Sequence, residues 1–137
     1  MSSWREELTE VVKTKAERDA EEQARQKKRV AEALATAETA MSLGADALRY
    51  ARDRLVEKEQ TAELTEGPDY YKLVVHEQTV ALELVRDSAV LRVMAGDAKP
   101  REFDFAKDRH IAPTDVDEYM GRRLLELVRA AHKAQPW

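Results

Sequence analysis

The sequence predicts an α+β protein: a long N-terminal α-helix, a four-stranded antiparallel β-meander and a C-terminal α-helix, with both helices on one face of the sheet. Three observations predict it. The first 66 residues hold one glycine and no proline, the apolar period drops to two after Pro68, and a capped amphipathic segment follows Pro113. At 137 residues the chain has the size of a single domain.

The opening stretch is rich in Ala, Glu, Arg and Lys, which reads as helix, and Gly67-Pro68 is its expected stop. It has three zones. At the tip, Trp4, Leu8 and Val11 share one face, with Val12 beside them. Residues 13–29 offer only Ala16, Ala20 and Ala24 as apolar contacts, supported from outside by pairs such as Glu21 with Arg25 and Arg18 with Glu22. From Val30 onward a heptad seam appears: Val30, Leu34, Ala37, Met41, Gly44, Leu48, Ala51 and Leu55, in alternating steps of four and three. Its large members and its small members each recur every seven residues. The seam keeps phase through Gly44, which favours one unbroken helix over two. Residues 1–29 are thus expected to form a protruding charged helix, continuous with a helix–sheet–helix head over 30–137.

After Pro68, Tyr71, Leu73 and Val75, then Val80, Leu82 and Leu84, then Leu91, Val93 and Ala95, then Phe103 and Phe105 mark four strands. A two-residue loop at 77–78 pairs Val75 with Val80 and Leu73 with Leu82. A loop at 87–88 pairs Leu84 with Leu91. Setting Ala95 against Arg101 pairs Val93 with Phe103. Every apolar set then lands on one face, and a row Lys72–Glu83–Arg92–Asp104 alternates in sign across the other. Two apolar rows accompany it on that outward face: Val74, Ala81 and Met94, and Tyr70, Val85 and Val90. They read either as ordinary exposed residues or as a docking or dimer face. In the last helix Thr114 is the expected N-cap, and Val116, Met120, Leu124, Leu127 and Ala131 form the buried stripe, widened by Leu125 and Val128.

A helix of some 60 residues would span about 90 Å, far more than a small sheet can cover. The surplus must protrude, fold back or pair with another chain, and a homodimer through the long helix is the expected outcome.

Composition removes several function classes. The chain has no cysteine, so a disulfide, a thiolate nucleophile and a Cys-based zinc site are excluded. No apolar run suits a bilayer crossing or a signal peptide, so a cytoplasmic protein without a membrane partner is expected. Charged residues make up 36% of the chain, yet the net charge is only −4 and each half carries −2 when split at residue 64. That balance does not suit a general nucleic-acid coat. His76, His110 and His132 form no metal-ligand spacing, and the glycines at 44, 67, 96 and 121 form no phosphate loop. The expectation is a non-enzyme without cofactor or metal.

What remains is binding. Trp4, Leu8 and Val11 have the spacing of helix-in-groove anchors, and they could equally pack on a second copy of themselves. Trp137 at the other terminus carries the same ambiguity. Val74, Val85, Val90 and Met94 are the candidates on the sheet. Arg25, Lys27, Lys28 and Arg29 place four positive charges within five residues, a phosphate-contacting pattern, with Glu17, Asp19, Glu21 and Glu22 just before it as a charge-striped solvated helix would have. The helix–meander–helix order resembles the YbaB-type nucleoid-associated proteins, nearest at His110-Ile111-Ala112-Pro113 and at Leu124 to Ala131, about a fifth of the chain. The additional strand and the long charged helix depart from that pattern. The expected function is a protein–protein interaction module (adaptor, scaffold or assembly factor) with itself and an unidentified protein as partners. A nucleoid-associated or RNA-binding dimer is the alternative, and a small ligand-binding domain or enzyme the third.

Overall fold

A computed structural model of the chain describes residues 3–136; Met1, Ser2 and Trp137 lie outside them. The elements run α1 (Trp4–Val11), α2 (Lys15–Glu57), β1 (Ala62–Glu66), β2 (Tyr70–Val75), β3 (Gln78–Val85), a short 3-10 turn (Arg86–Ser88), β4 (Val90–Ala95), β5 (Arg101–Asp104) and α3 (Pro113–Ala134). The class is α+β, as expected, with an antiparallel sheet in the order β1-β2-β3-β4-β5 and α2 and α3 packed against it. Four details differ from the sequence expectation, each for a physical reason.

First, the opening helix is two helices. Thr14 is extended (φ −71°, ψ 162°) and its hydroxyl accepts the Glu17 N–H at 3.1 Å, starting α2 afresh. Ser3 does the same for α1, accepting from Glu6 N–H at 3.3 Å. Each is a Ser/Thr followed by Glu three residues on, the spacing of a capping box, and a side chain that binds its own backbone in this way competes with continuing a helix. From Lys15 onward α2 runs unbroken for 43 residues, about 64 Å, straight through Gly44.

Second, α2 stops at Glu57, not near Gly67-Pro68. Glu59 takes the left-handed conformation (φ 61°) that a glycine usually supplies at a helix end. The Gln60 N–H then closes on Leu55 O and the Glu59 N–H on Val56 O, both at 2.9 Å. The freed residues Ala62–Glu66 form a fifth strand, with Ala62 opposite Val75 and Leu64 opposite Leu73. Ala, Glu and Leu favour helix, but pairing along the otherwise open edge of β2 overrides that preference.

Third, two strand pairs slip by two residues. The β2–β3 loop is His76-Glu77, with His76 left-handed (φ 54°), so Leu73 faces Val80 and Tyr71 faces Leu82. Leu91 faces Phe103 and Val93 faces Arg101. The β3–β4 register is the expected one, Leu84 to Leu91 and Leu82 to Val93. A slip of two preserves which face each side chain points to, so the rows across the sheet are re-dealt while the facing holds; Ala81, expected on the outward face, is nonetheless buried, and Tyr71 and Ala95 are half-buried.

Fourth, α3 starts two residues early. Pro113 is its first residue, Ala112 is the cap, and the Asp115 carboxylate reaches back to accept the Ala112 N–H at 2.8 Å.

The core lies between the sheet and the two helices. Leu73, Val75, Val80, Leu82, Leu91 and Val93 from the strands meet Ala37, Met41 and Leu48 of α2 and Val116, Met120 and Leu127 of α3. The heptad seam of α2 is therefore consumed inside the chain: it packs on its own sheet and on α3. At Gly44 the approach is closest. A Cβ there would sit 2.7 Å from Leu82 Cδ2 and 3.7 Å from Met120 Cγ, and Leu82 is fully buried. Gly44→Ala sets about 1 kcal/mol of helix propensity against about 1–3 kcal/mol of overpacking, so a net loss of stability is expected. Gly121, in α3, has nothing within 4 Å of its added Cβ. Gly121→Ala should gain up to about 1 kcal/mol, and urea unfolding of the two variants checks for these opposite signs.

Candidate interaction surfaces

Three surfaces remain outside the core. The first is the arm, made of α1 and the start of α2. Every residue from 14 to 29 is exposed, and no residue of α1 is buried. Trp4 is 66% exposed, Leu8 52% and Val11 72%, and the Arg5 guanidinium lies 5.0 Å from the centre of the Trp4 ring. The spacing of four and three keeps the three apolar side chains on one side of α1. Lys13 ties the two helices at the turn, with its ammonium 2.8 Å from Glu10 and 2.7 Å from Glu21. Those hydrogen bonds hold Lys13 above its ordinary pKa, and the same bond from Lys13 holds Glu10 below its own. The Arg18 guanidinium also reaches Val11 O at 3.4 Å.

The second surface is a groove of about 990 Å³ between α2 and α3, on the side away from the sheet. Leu43, Ala47, Tyr50 and Ala51 line one wall, and Gly121, Leu124, Leu125 and Val128 the other. Tyr50 is 69% exposed and Leu125 54%. Arg54, Lys58 and Arg122 stand at the rim with Asp46, Asp117 and Glu118. Sequence reading missed Leu43 and Tyr50 as surface residues. The signal was there: positions 43, 47, 50 and 54 step by four and three along a second stripe of α2, but the stronger seam masked it. Gly121 and the small side chains Ala47 and Ala51 keep the groove open.

The third is the outward face of the sheet. Val74, Val85, Val90 and Met94 are all half-buried. Val85 faces Val90 directly, but the two-residue slip sets Lys72, not Val74, beside Ala81 and Met94, and Glu83 beside Tyr70. The two expected apolar rows are thereby interrupted. The charged row keeps its centre and changes its ends. Arg92 lies 3.6 Å from Glu83 and 3.4 Å from Glu102, while Asp104 turns to accept the Ala106 and Lys107 N–H groups.

The basic run at Arg25–Arg29 acquires neighbours that are distant in sequence. Arg29 and Arg109 line one small notch with Glu32 and Asp108, and Lys27 and Lys107 line another with Asp87 and Asp104. The turn after β5 brings Lys107 and Arg109 to α2. Within the run, Arg25 is held by Glu22 at 2.8 Å, and this bond raises its pKa. Nearby, Arg86 bridges α2 to the β1–β2 turn, 2.8 Å from both Glu38 and Asp69, a tie that fixes the edge of the head. Among the described residues no group of three His, Cys, Asp or Glu side chains is placed to hold a metal ion, and no helix is long and apolar enough to cross a membrane.

No family model matches this chain, nor does a curated protein or a solved structure. Its surfaces therefore carry the functional argument. Because Tyr50 and Leu125 are more than half exposed, Tyr50→Ser and Leu125→Ser should each leave stability within about 0.5 kcal/mol. Together they should reduce binding of an environment-sensitive apolar dye, measured by fluorescence titration beside urea unfolding.

Proposed function

We propose that the chain is a non-catalytic protein–protein interaction module of the cytoplasm, an adaptor, scaffold or assembly factor, acting as a homodimer joined through its long helix. One observation carries this reading: Trp4, Leu8 and Val11 share a face of a helix that lies wholly outside the core, at the end of an exposed arm. Large apolar side chains cost free energy in water, and at this spacing they fit a groove on a partner. The α2–α3 groove is a second exposed apolar surface, toward the far end of α2. The test is affinity capture from the native host with wild type and a Trp4→Ala/Leu8→Ala double variant, each checked by thermal unfolding. The double variant is expected to unfold like wild type and to lose the captured protein. Identical capture by both, from a chain that sediments as a compact monomer, overturns the reading.

A nucleic-acid-binding dimer is the second reading, and a specific observation favours it: the turn after β5 brings Lys107 and Arg109 beside Lys27 and Arg29, with Glu32, Asp87, Asp104 and Asp108 among them. Phosphate contacts of that kind give salt-sensitive affinity for duplex DNA or RNA. On this reading, Lys107→Glu/Arg109→Glu weakens binding in a gel-shift titration as strongly as Lys27→Glu/Lys28→Glu. Binding that ignores all four charges removes it.

A further inference from the structure

The order of charges along the arm has a direction. Residues 17–22 carry Glu17, Asp19, Glu21 and Glu22, with Arg18 among them, and residues 25–29 carry Arg25, Lys27, Lys28 and Arg29. All of them are exposed on one continuous helix. Two such helices laid parallel and in register set acid against acid and base against base. Laid antiparallel, the acidic block of each faces the basic block of the other.

We propose that the arms of two copies pair antiparallel about a two-fold axis near Ala24, a refinement that rests on the homodimer reading above. Ala24 is a small side chain, so two backbones can approach closely where the axis passes. In that register residue 17 faces residue 31, one heptad to either side of Ala24 on the same helix face. Glu21 and Lys28 lie on one flank of the seam, three residues before Ala24 and four after it, and meet reciprocally. A two-fold makes each such contact occur twice, as a closed dimer requires.

The pairing also places α1. Within its own chain, α1 cannot reach the α2–α3 groove. From Lys15 to Leu43, where the groove begins, is about 42 Å of helix, and an eight-residue α1 folded back along α2 covers only about 12 Å of it. With the arms antiparallel about Ala24, the start of one α2 lies beside the partner's α2 near position 33. The next turns of the arm then run toward the partner's groove. Continued along that line, Trp4 comes level with the partner's α2 at the near end of its groove, where Leu43 begins the apolar wall. The arm supplies register and the tip supplies apolar burial.

The absence of cysteine makes the test direct. Glu17→Cys and Ala31→Cys chains are prepared separately, checked for unchanged thermal unfolding, and oxidised alone and mixed. The antiparallel pairing forms a disulfide-linked dimer only in the mixture. A parallel pairing links Glu17→Cys to itself and overturns the inference while leaving a homodimer. A chain that sediments at twice 15.6 kDa but links in neither sample pairs elsewhere, with the same consequence. A monomer at every concentration overturns both the inference and the homodimer reading. Charge reversal gives an independent check in the wild-type background. Glu21→Lys/Glu22→Lys should raise the dimer dissociation constant at least tenfold, and adding Lys27→Glu/Lys28→Glu to the same chain should restore most of it. Failure of that rescue overturns the antiparallel pairing.

Discussion

The architecture depends on how closely α2 approaches the sheet at Gly44. There the backbone of the helix sits against the side chain of Leu82, with Met120 of α3 alongside, and no Cβ intervenes. This contact fixes the depth at which Met41 and Leu48 enter the core and the line along which α2 runs. Because the helix is unbroken through that point and buried on both sides of it, its first third is carried beyond the core. The arm is a consequence of the core, not an appendage to it. It also explains how so polar a stretch stays helical. Nucleating a helix in water is unfavourable, whereas extending one already formed is close to neutral. The head supplies the nucleus, Thr14 caps the free end, and residues 15–29 need only avoid helix breakers.

Periodicity revealed the buried faces well and the partners poorly. The seam Leu34–Ala37–Met41–Gly44–Leu48–Leu55 was visible as a heptad stripe and is indeed the packed face of α2, but nothing in a spacing says whether the facing surface belongs to another chain or to the same one. Here it is the sheet and α3. The alternation of small and large members, which suggests a close helix pair, is met instead by Leu82 filling the space left by Gly44. The same limit applies to the strands. Alternation determines facing with a period of two, so any even slip is silent. The choice between a loop at 77–78 and one at 76–77 rests on His76 accepting a left-handed conformation, which its residue type does not announce.

Local preference misled at one place, the segment Ala62–Glu66, and was overlooked at another, the turn before Lys15. The first is a strand made of helix-favouring residues, and what decides it is the bare edge of β2, a demand that lies outside the segment. The second was readable: Thr14 and Glu17 have capping-box spacing, and Ser3 and Glu6 repeat it. The weak apolar content around Lys13 hid a boundary that side-chain chemistry had marked. The groove sat between these cases. Tyr50, Leu43 and Ala47 form a legible stripe, yet its meaning depends on α3 lying beside it, with Gly121 and Leu125 turned the same way.

The two unpartnered apolar surfaces have a common origin in the mismatch between element lengths. A strand of eight residues such as β3 spans about 26 Å, while α2 spans about 64 Å. Here the buried stripe of α2 runs from Ala33 to Leu55, little more than half its length. Beyond the sheet it has no surface to bury against, which leaves α1 in water. Above the sheet its opposite stripe faces outward, and with a neighbouring helix of similar tilt that stripe becomes the wall of a groove. Neither surface improves the stability of the isolated chain, and both expose side chains that a monomer of this size has little reason to expose. The order of charge in between is of the same kind. Within one helix, pairs at i,i+3 or i,i+4 form as readily from interleaved charges as from blocks. Segregating acid from base therefore gains little inside one chain, and its distinct consequence is for the direction in which a second helix lies.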